Sequence, residues 1–73
     1  MSVLLRHSRL TPREREVMDL LIAGKTSKEI ALAMRASVRT VEGHRRMVLL
    51  KMDVSSASQL VRTVLRAREH PRE

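Results

Sequence analysis

"TSKEIALAMRASVRTVEGHRRMVLLKM" spans Thr26–Met52 and holds two helical signals separated by a very short break. Thr26 is a good N-cap, and Glu29, three residues on, completes a capping box. Ile30, Ala31 and Met34 then recur at helical spacing, which predicts a helix of about two turns. "RAS" interrupts the pattern, and Ser37 is a second N-cap. Val41, Val48 and Met52 follow at seven- and four-residue spacings, which predicts a longer helix. The break between the two contains Arg35 and Ala36, without the glycine often found in such turns.

Outward from this centre the same punctuation recurs. "LTPRE" places Thr11 at an N-cap, Pro12 at the first helical position and Glu14 three residues after the cap. Val17, Leu20 and Leu21 share one face of that helix, and Gly24 ends it. "DVSS" breaks the third predicted helix, Ser56 and Gln59 predict another capping box, and Leu60, Val61, Val64 and Leu65 carry a last helix. No stretch alternates like a strand. The fold class is therefore all-α, with four helices over about 12–23, 27–34, 38–52 and 57–68. Residues 1–9 are expected to form a flexible N-terminal segment, 10–68 the domain, and 69–73 a frayed tail. A two-turn helix, a tight turn and a longer helix make the outline of a helix-turn-helix.

Composition narrows the function. The 73 residues include no Phe, Tyr, Trp or Cys. The core must be aliphatic, with no disulfide or thiolate metal site, and base stacking on aromatic rings is unavailable. Lys and Arg number 15 against 8 acids, a net charge of +7 with a pI near 11.5, which points to a polyanionic partner. No apolar run is long enough for a membrane span, and "MSVLLRHSR" lacks a signal-peptide core and cleavage site, so the cytoplasm is the expected location. His7, His44 and His70 form no i, i+4 pair, and no carboxylate cluster completes a metal site. Without a Ser-His-Asp grouping or Gly-rich phosphate loop, the sequence predicts no enzyme, metal or cofactor.

At about 100° per residue, Val41, Val48 and Met52 define the buried side of the third helix. Arg39, Gly43, Arg46 and Leu50 point the opposite way, flanked by Glu42 and Met47. An outer face that begins with Arg39, Thr40 and further arginines suits a DNA major groove, which admits one helix and where Arg pairs with guanine. Ser27 and Lys28, opening the second helix, can hold a phosphate by backbone N–H groups and charge, and Lys51 can reach another. Arg45 leans toward the buried side and either snorkels to a phosphate or covers apolar surface. His44 is a packing or phosphate-contacting residue. Glu42 has two competing readings: acceptor for a cytosine amino group, or intrahelical partner of Arg39, Arg45 or Arg46. Gly43 either lets the helix sit deeper in the groove or is a weak spot tolerated by packing.

"LTPREREVMDLLIAGKTSKEIALAM" followed by "SVRTVEGHRRMVLLKMDVSSASQLV" resembles the LuxR/GerE-type helix-turn-helix, most of all the C-terminal output domain of NarL/FixJ-type response regulators. The resemblance covers about Leu10 to Leu65 and is most specific in "LTPRE.EV", "KEIA", "TVE.H" and "KM.V.S". It implies a bacterial transcriptional regulator of a two-component system that binds duplex DNA sequence-specifically, as a homodimer on two half-sites. Base-facing positions would fall on Glu42, Gly43 and Arg46, helped by Arg39 and Thr40. Phosphate contacts would fall around Thr26, Ser27, Lys28, His44, Arg45 and Lys51, and the dimer surface on the last helix at Val61 and Leu65. RNA polymerase contact and control by phosphorylation follow from the resemblance alone. No receiver or sensor domain precedes the motif, so the chain reads as an excised output domain or a stand-alone regulator.

Four positions depart from the family. Ala36 stands where Ile or Val is general, Asp53 where Gly is frequent, and Glu42–Gly43 where Lys or Val is common. The DNA sequence read by this chain therefore cannot be borrowed from a relative. Two alternatives compete. A sigma-factor region 4 shares "LTPREREV" and "KEIA" but ends after a short basic helix, whereas "GHRRMVLLKMDVSSASQLV" continues into a longer third helix and a fourth. A helical protein-interaction module would use Leu49, Leu50, the outer edge of the last helix and "VLL" at Val3 to Leu5.

Overall fold

The computed structural model describes residues 3–69, with side chains from residue 6 onward. Five helices follow one another: α1 (Val3–Ser8), α2 (Pro12–Ile22), α3 (Ser27–Met34), α4 (Val38–Lys51) and α5 (Ala57–Glu69). No strand occurs among the described residues. The four predicted helices correspond to α2–α5, each boundary within about a residue of its expected position. α1 is additional: the segment expected to be flexible contains a helix of 6 residues. It packs against α5 and is tied down at Arg6, whose guanidinium lies 3.7 Å from the Asp53 carboxylate. That anchor is long-range, so no local periodicity announces it. Residues 70–73, with His70, Pro71 and most of the expected tail, lie outside the described residues, while Glu69 closes α5.

The helix starts are built as the sequence predicts. Thr11 Oγ1 accepts from the Glu14 N–H at 3.2 Å, and Glu14 Oε1 accepts from the Thr11 N–H at 2.9 Å. Thr26 and Glu29 repeat the pair at 3.2 and 2.9 Å. Ser37 caps α4 by accepting from the Thr40 N–H at 3.0 Å. The box expected at Ser56 and Gln59 is only half formed. Ser56 Oγ accepts from the Gln59 N–H at 3.1 Å, but the Gln59 side chain takes the Ser55 N–H and hydroxyl, each at 2.8 Å.

The helix ends share one device. Lys25 N–H donates to Leu20 C=O at 3.0 Å, Ala36 N–H to Ala31 C=O at 2.9 Å, and Val54 N–H to Leu49 C=O at 3.0 Å. Each bond needs a left-handed residue just before the donor. Gly24 supplies φ 87°, but Arg35 and Asp53 adopt 54° and 58° with side chains attached. The chain therefore makes the same stop three times, twice without the residue that makes it easily.

One aliphatic cluster holds these elements together. It contains Leu10, Val17, Met18, Leu21, Ile30, Ala31, Val41, Val48, Met52, Leu60 and Val64. Leu20, Ile22, Met34, Ala36, Leu49 and Val54 pack around it. α4 lies against both α2 and α3, so one side of α4 is committed to the core. Ala36 still reaches that cluster with its small side chain. No described helix is long and apolar enough to cross a membrane.

Candidate nucleic-acid interface

The core fixes the rotation of α4. Val41, Val48 and Met52 are fully buried, so the opposite stripe must face solvent. Arg39, Thr40, Glu42, Gly43 and Arg46 are all exposed, as is Leu50 at 69%. The five base-facing candidates thus lie on the free side of one helix. The geometry around them is open: a methyl group added at Gly43 would meet nothing within 4 Å. Nothing inside the fold requires glycine there.

Glu42 pairs with Arg45 rather than Arg46. Its carboxylate lies 3.9 Å from the Arg45 guanidinium, a loose contact between half-exposed groups. No ion pair of Arg39 or Arg46 occurs among the described residues. Arg45 lies partly inward, as its position on the helix predicts, and its Nε is buried without a hydrogen bond among the described residues. His44, on the opposite flank, is half-buried.

The start of α3, which packs on α4, sets Thr26 and Lys28 at the surface and leaves Ser27 half-buried. The Thr26 hydroxyl oxygen is used by the cap, while Lys28 is exposed. Ser27 Oγ is buried and, like Arg45 Nε, makes no hydrogen bond among the described residues. Both residues line a hollow with Lys25, Leu21 and Val61. Lys25 was absent from the expected site; it lies before the N-cap, where helix patterning gives it no face.

Lys51 is placed differently from expectation. Its ammonium lies 2.8 Å from Glu14 Oε1, the same oxygen that accepts from the Thr11 amide. Glu14 is 5% exposed, so this is a largely buried pair joining the first turn of α2 to the last turn of α4. Burial alone would raise the Glu14 pKa. The hydrogen bond and charge of Lys51, with the bonds from Thr11, outweigh it and hold the carboxyl below its ordinary value. A phosphate at Lys51 would have to share the ammonium with Glu14.

On α5, Leu60 and Val64 are buried, Val61 is half-buried and Leu65 is 46% exposed. The apolar pair Leu49–Leu50 expected for a protein-binding patch is split, because Leu49 packs on the core. The side chains of Val3 to Leu5 in that patch lie outside the described side chains. No cluster of potential metal ligands occurs among the described residues.

Residues 8–64 match the bacterial regulatory proteins of the luxR family. The chain belongs to that family. It is 48% identical over 62 residues to the transcriptional regulatory protein FixJ of Bradyrhizobium diazoefficiens, covering 85% of this chain and 30% of that protein. It is 45% identical over 60 residues to the spore germination protein GerE of Bacillus subtilis, covering 82% of this chain and 81% of that protein. The crystal structure of full-length FixJ from B. japonicum superposes with a TM-score of 0.84 at 45% identity, over 92% of this chain and 33% of that one. The chain thus spans less than half the length of the response-regulatory relatives it matches. This luxR-family unit is the DNA-binding domain of a transcriptional regulator, not an enzyme.

Proposed function

We propose that this domain reads duplex DNA by inserting α4 into the major groove, as one half of a homodimer on two half-sites. The observation that carries the reading is the exposed stripe of Arg39, Gly43 and Arg46 on α4, opposite a stripe that is fully buried. A major groove takes one helix, and arginine is its commonest base reader. Arg46, without an ion pair among the described residues, presents its guanidinium to a guanine edge. Arg39 and Thr40 contact bases or backbone at the start of the helix. Glu42 accepts from a cytosine amino group and gives up its loose contact with Arg45.

Thr26, Ser27 and Lys28 hold a phosphate at the start of α3, with Lys25 beside them. His44 and Arg45 contact the strands flanking α4. Lys51 serves first as the anchor of α4 on Glu14 and adds to the field at the phosphate backbone. Val61 and Leu65 form the seam between two copies, which sets two α4 helices about one turn of DNA apart. A link to a receiver or sensor domain and contact with RNA polymerase are further expectations of the same reading.

The test is selection of bound duplexes from random DNA, followed by titration of variants. Arg46→Ala should cost about 1–3 kcal/mol and relax specificity at one base pair. Lys28→Ala should weaken binding to all sequences and reduce the salt slope by about one. Unchanged operator affinity in Arg46→Ala would remove the proposed docking of α4. Binding indifferent to salt would favour a protein-interaction module instead.

A further inference from the structure

Leu50 is the one apolar member of the outer stripe of α4. It lies one turn beyond Arg46 on the same face and is 69% exposed. Met47, 37% exposed, lies beside it. Together with Lys51 they line a shallow groove whose other wall is Arg6, Arg9 and Asp53. Its walls therefore carry three cations and one acid, with Arg6 beside Asp53 and Lys51 bonded to Glu14, and its apolar side chains continue the face on which Arg46 stands. A partner that suits this groove is anionic at its edge and offers a small apolar group at the depth of the bases.

Duplex DNA meets both conditions. The C5-methyl of thymine is the one apolar group that distinguishes a base in the major groove, and aliphatic side chains contact it. The bare backbone at Gly43 permits close approach of α4, which lowers the whole stripe toward the groove floor. Hence we propose that Leu50, with Met47 beside it, reads a thymine methyl next to the base pair contacted by Arg46. This rests on the major-groove docking of α4 and extends it to a base position that polar contacts do not specify. Arg6 and Arg9 flank the strand that carries the thymine.

The experiment uses the whole 73-residue chain and a duplex it selects. Each thymidine is replaced in turn by deoxyuridine, which deletes only the methyl. Wild type should lose about fourfold in affinity at one position near the Arg46 contact, the worth of one buried methyl group. Leu50→Ala should bind thymidine and deoxyuridine duplexes equally well at that position while keeping its response elsewhere. Leu50→Gln, which preserves helix length and reach, should do the same, and circular dichroism checks that both variants are folded. If both variants keep the wild-type preference for thymidine, or if wild type has none, the inference is overturned. It is overturned also if Leu50→Ala leaves DNA affinity unchanged but abolishes self-association in sedimentation, which would make the patch a protein seam. Silence of Arg46→Ala and Lys28→Ala in the same titration would instead bring down the docking itself. A response to those two without one to Leu50 isolates the failure to this proposal.

Discussion

Gly43 carries the sharpest consequence of any single residue. A glycine inside a helix loosens it, and a β-carbon there would touch nothing in the fold. Gly43→Ala should therefore raise the stability of the free domain by about 0.5–1 kcal/mol, readable as a shift in urea midpoint at constant slope. The same variant should bind the selected duplex less tightly, because the added methyl stands on the face proposed to approach the base edges. A more stable protein with undiminished DNA affinity would show that the glycine is a tolerated weak spot. Glu42 beside it is held only by the 3.9 Å contact with Arg45. A half-exposed pair of that length stabilises the helix by at most a few tenths of a kcal/mol, so releasing it onto DNA costs little.

The elements show how three helices stop. α2, α3 and α4 all end on a left-handed residue followed by the same six-to-one bond, but only α2 uses glycine. Arg35 sits in the turn that sets α3 against α4, and Asp53 in the turn from α4 to α5. A side chain in this conformation costs about 1–2 kcal/mol. Arg35→Gly should thus stabilise the domain by about 1 kcal/mol in chemical denaturation without altering the angle between α3 and α4. Asp53→Gly should gain less, since Asp tolerates the left-handed region better and its carboxylate anchors Arg6 at 3.7 Å. Loss of stability in Arg35→Gly would mean that the arginine side chain contributes more than the strain it incurs.

At the scale of the whole molecule, the Glu14–Lys51 pair joins residues 37 apart in sequence at 2.8 Å. It closes α4 onto α2 at the edge of the core and so helps to hold the exposed stripe of α4 at a fixed rotation. Glu14 has a folded pKa below its ordinary value. The unfolded chain therefore binds this proton more readily than the folded one, and stability falls as the solution is acidified. The contribution is complete above the ordinary carboxyl range and is lost as pH drops through the lowered folded pKa. Glu14→Gln should unfold at a lower temperature than wild type at pH 7, with the gap closing in acid. Lys51→Met leaves the carboxylate to the Thr11 amide alone and should cost about 2 kcal/mol, less than a fully buried pair because Lys51 is partly wet. A pH profile identical in Glu14→Gln and wild type would assign the acid sensitivity to other groups.

Helix number two to five, their caps and the outward stripe of α4 were legible in the sequence, because N-caps, periodicity and burial of one face act over three or four residues. The motifs that mark the family were legible for the same reason. Tertiary structure alone decided what depends on distant partners. It anchored α1 through Arg6 and Asp53, forced Arg35 and Asp53 into left-handed turns, and diverted Gln59 to Ser55. It also turned Glu14 from a local capping residue into the partner of Lys51, 37 residues away. Local patterning determines which face of a helix is apolar, whereas the partner of a buried charge is set by how the helices meet.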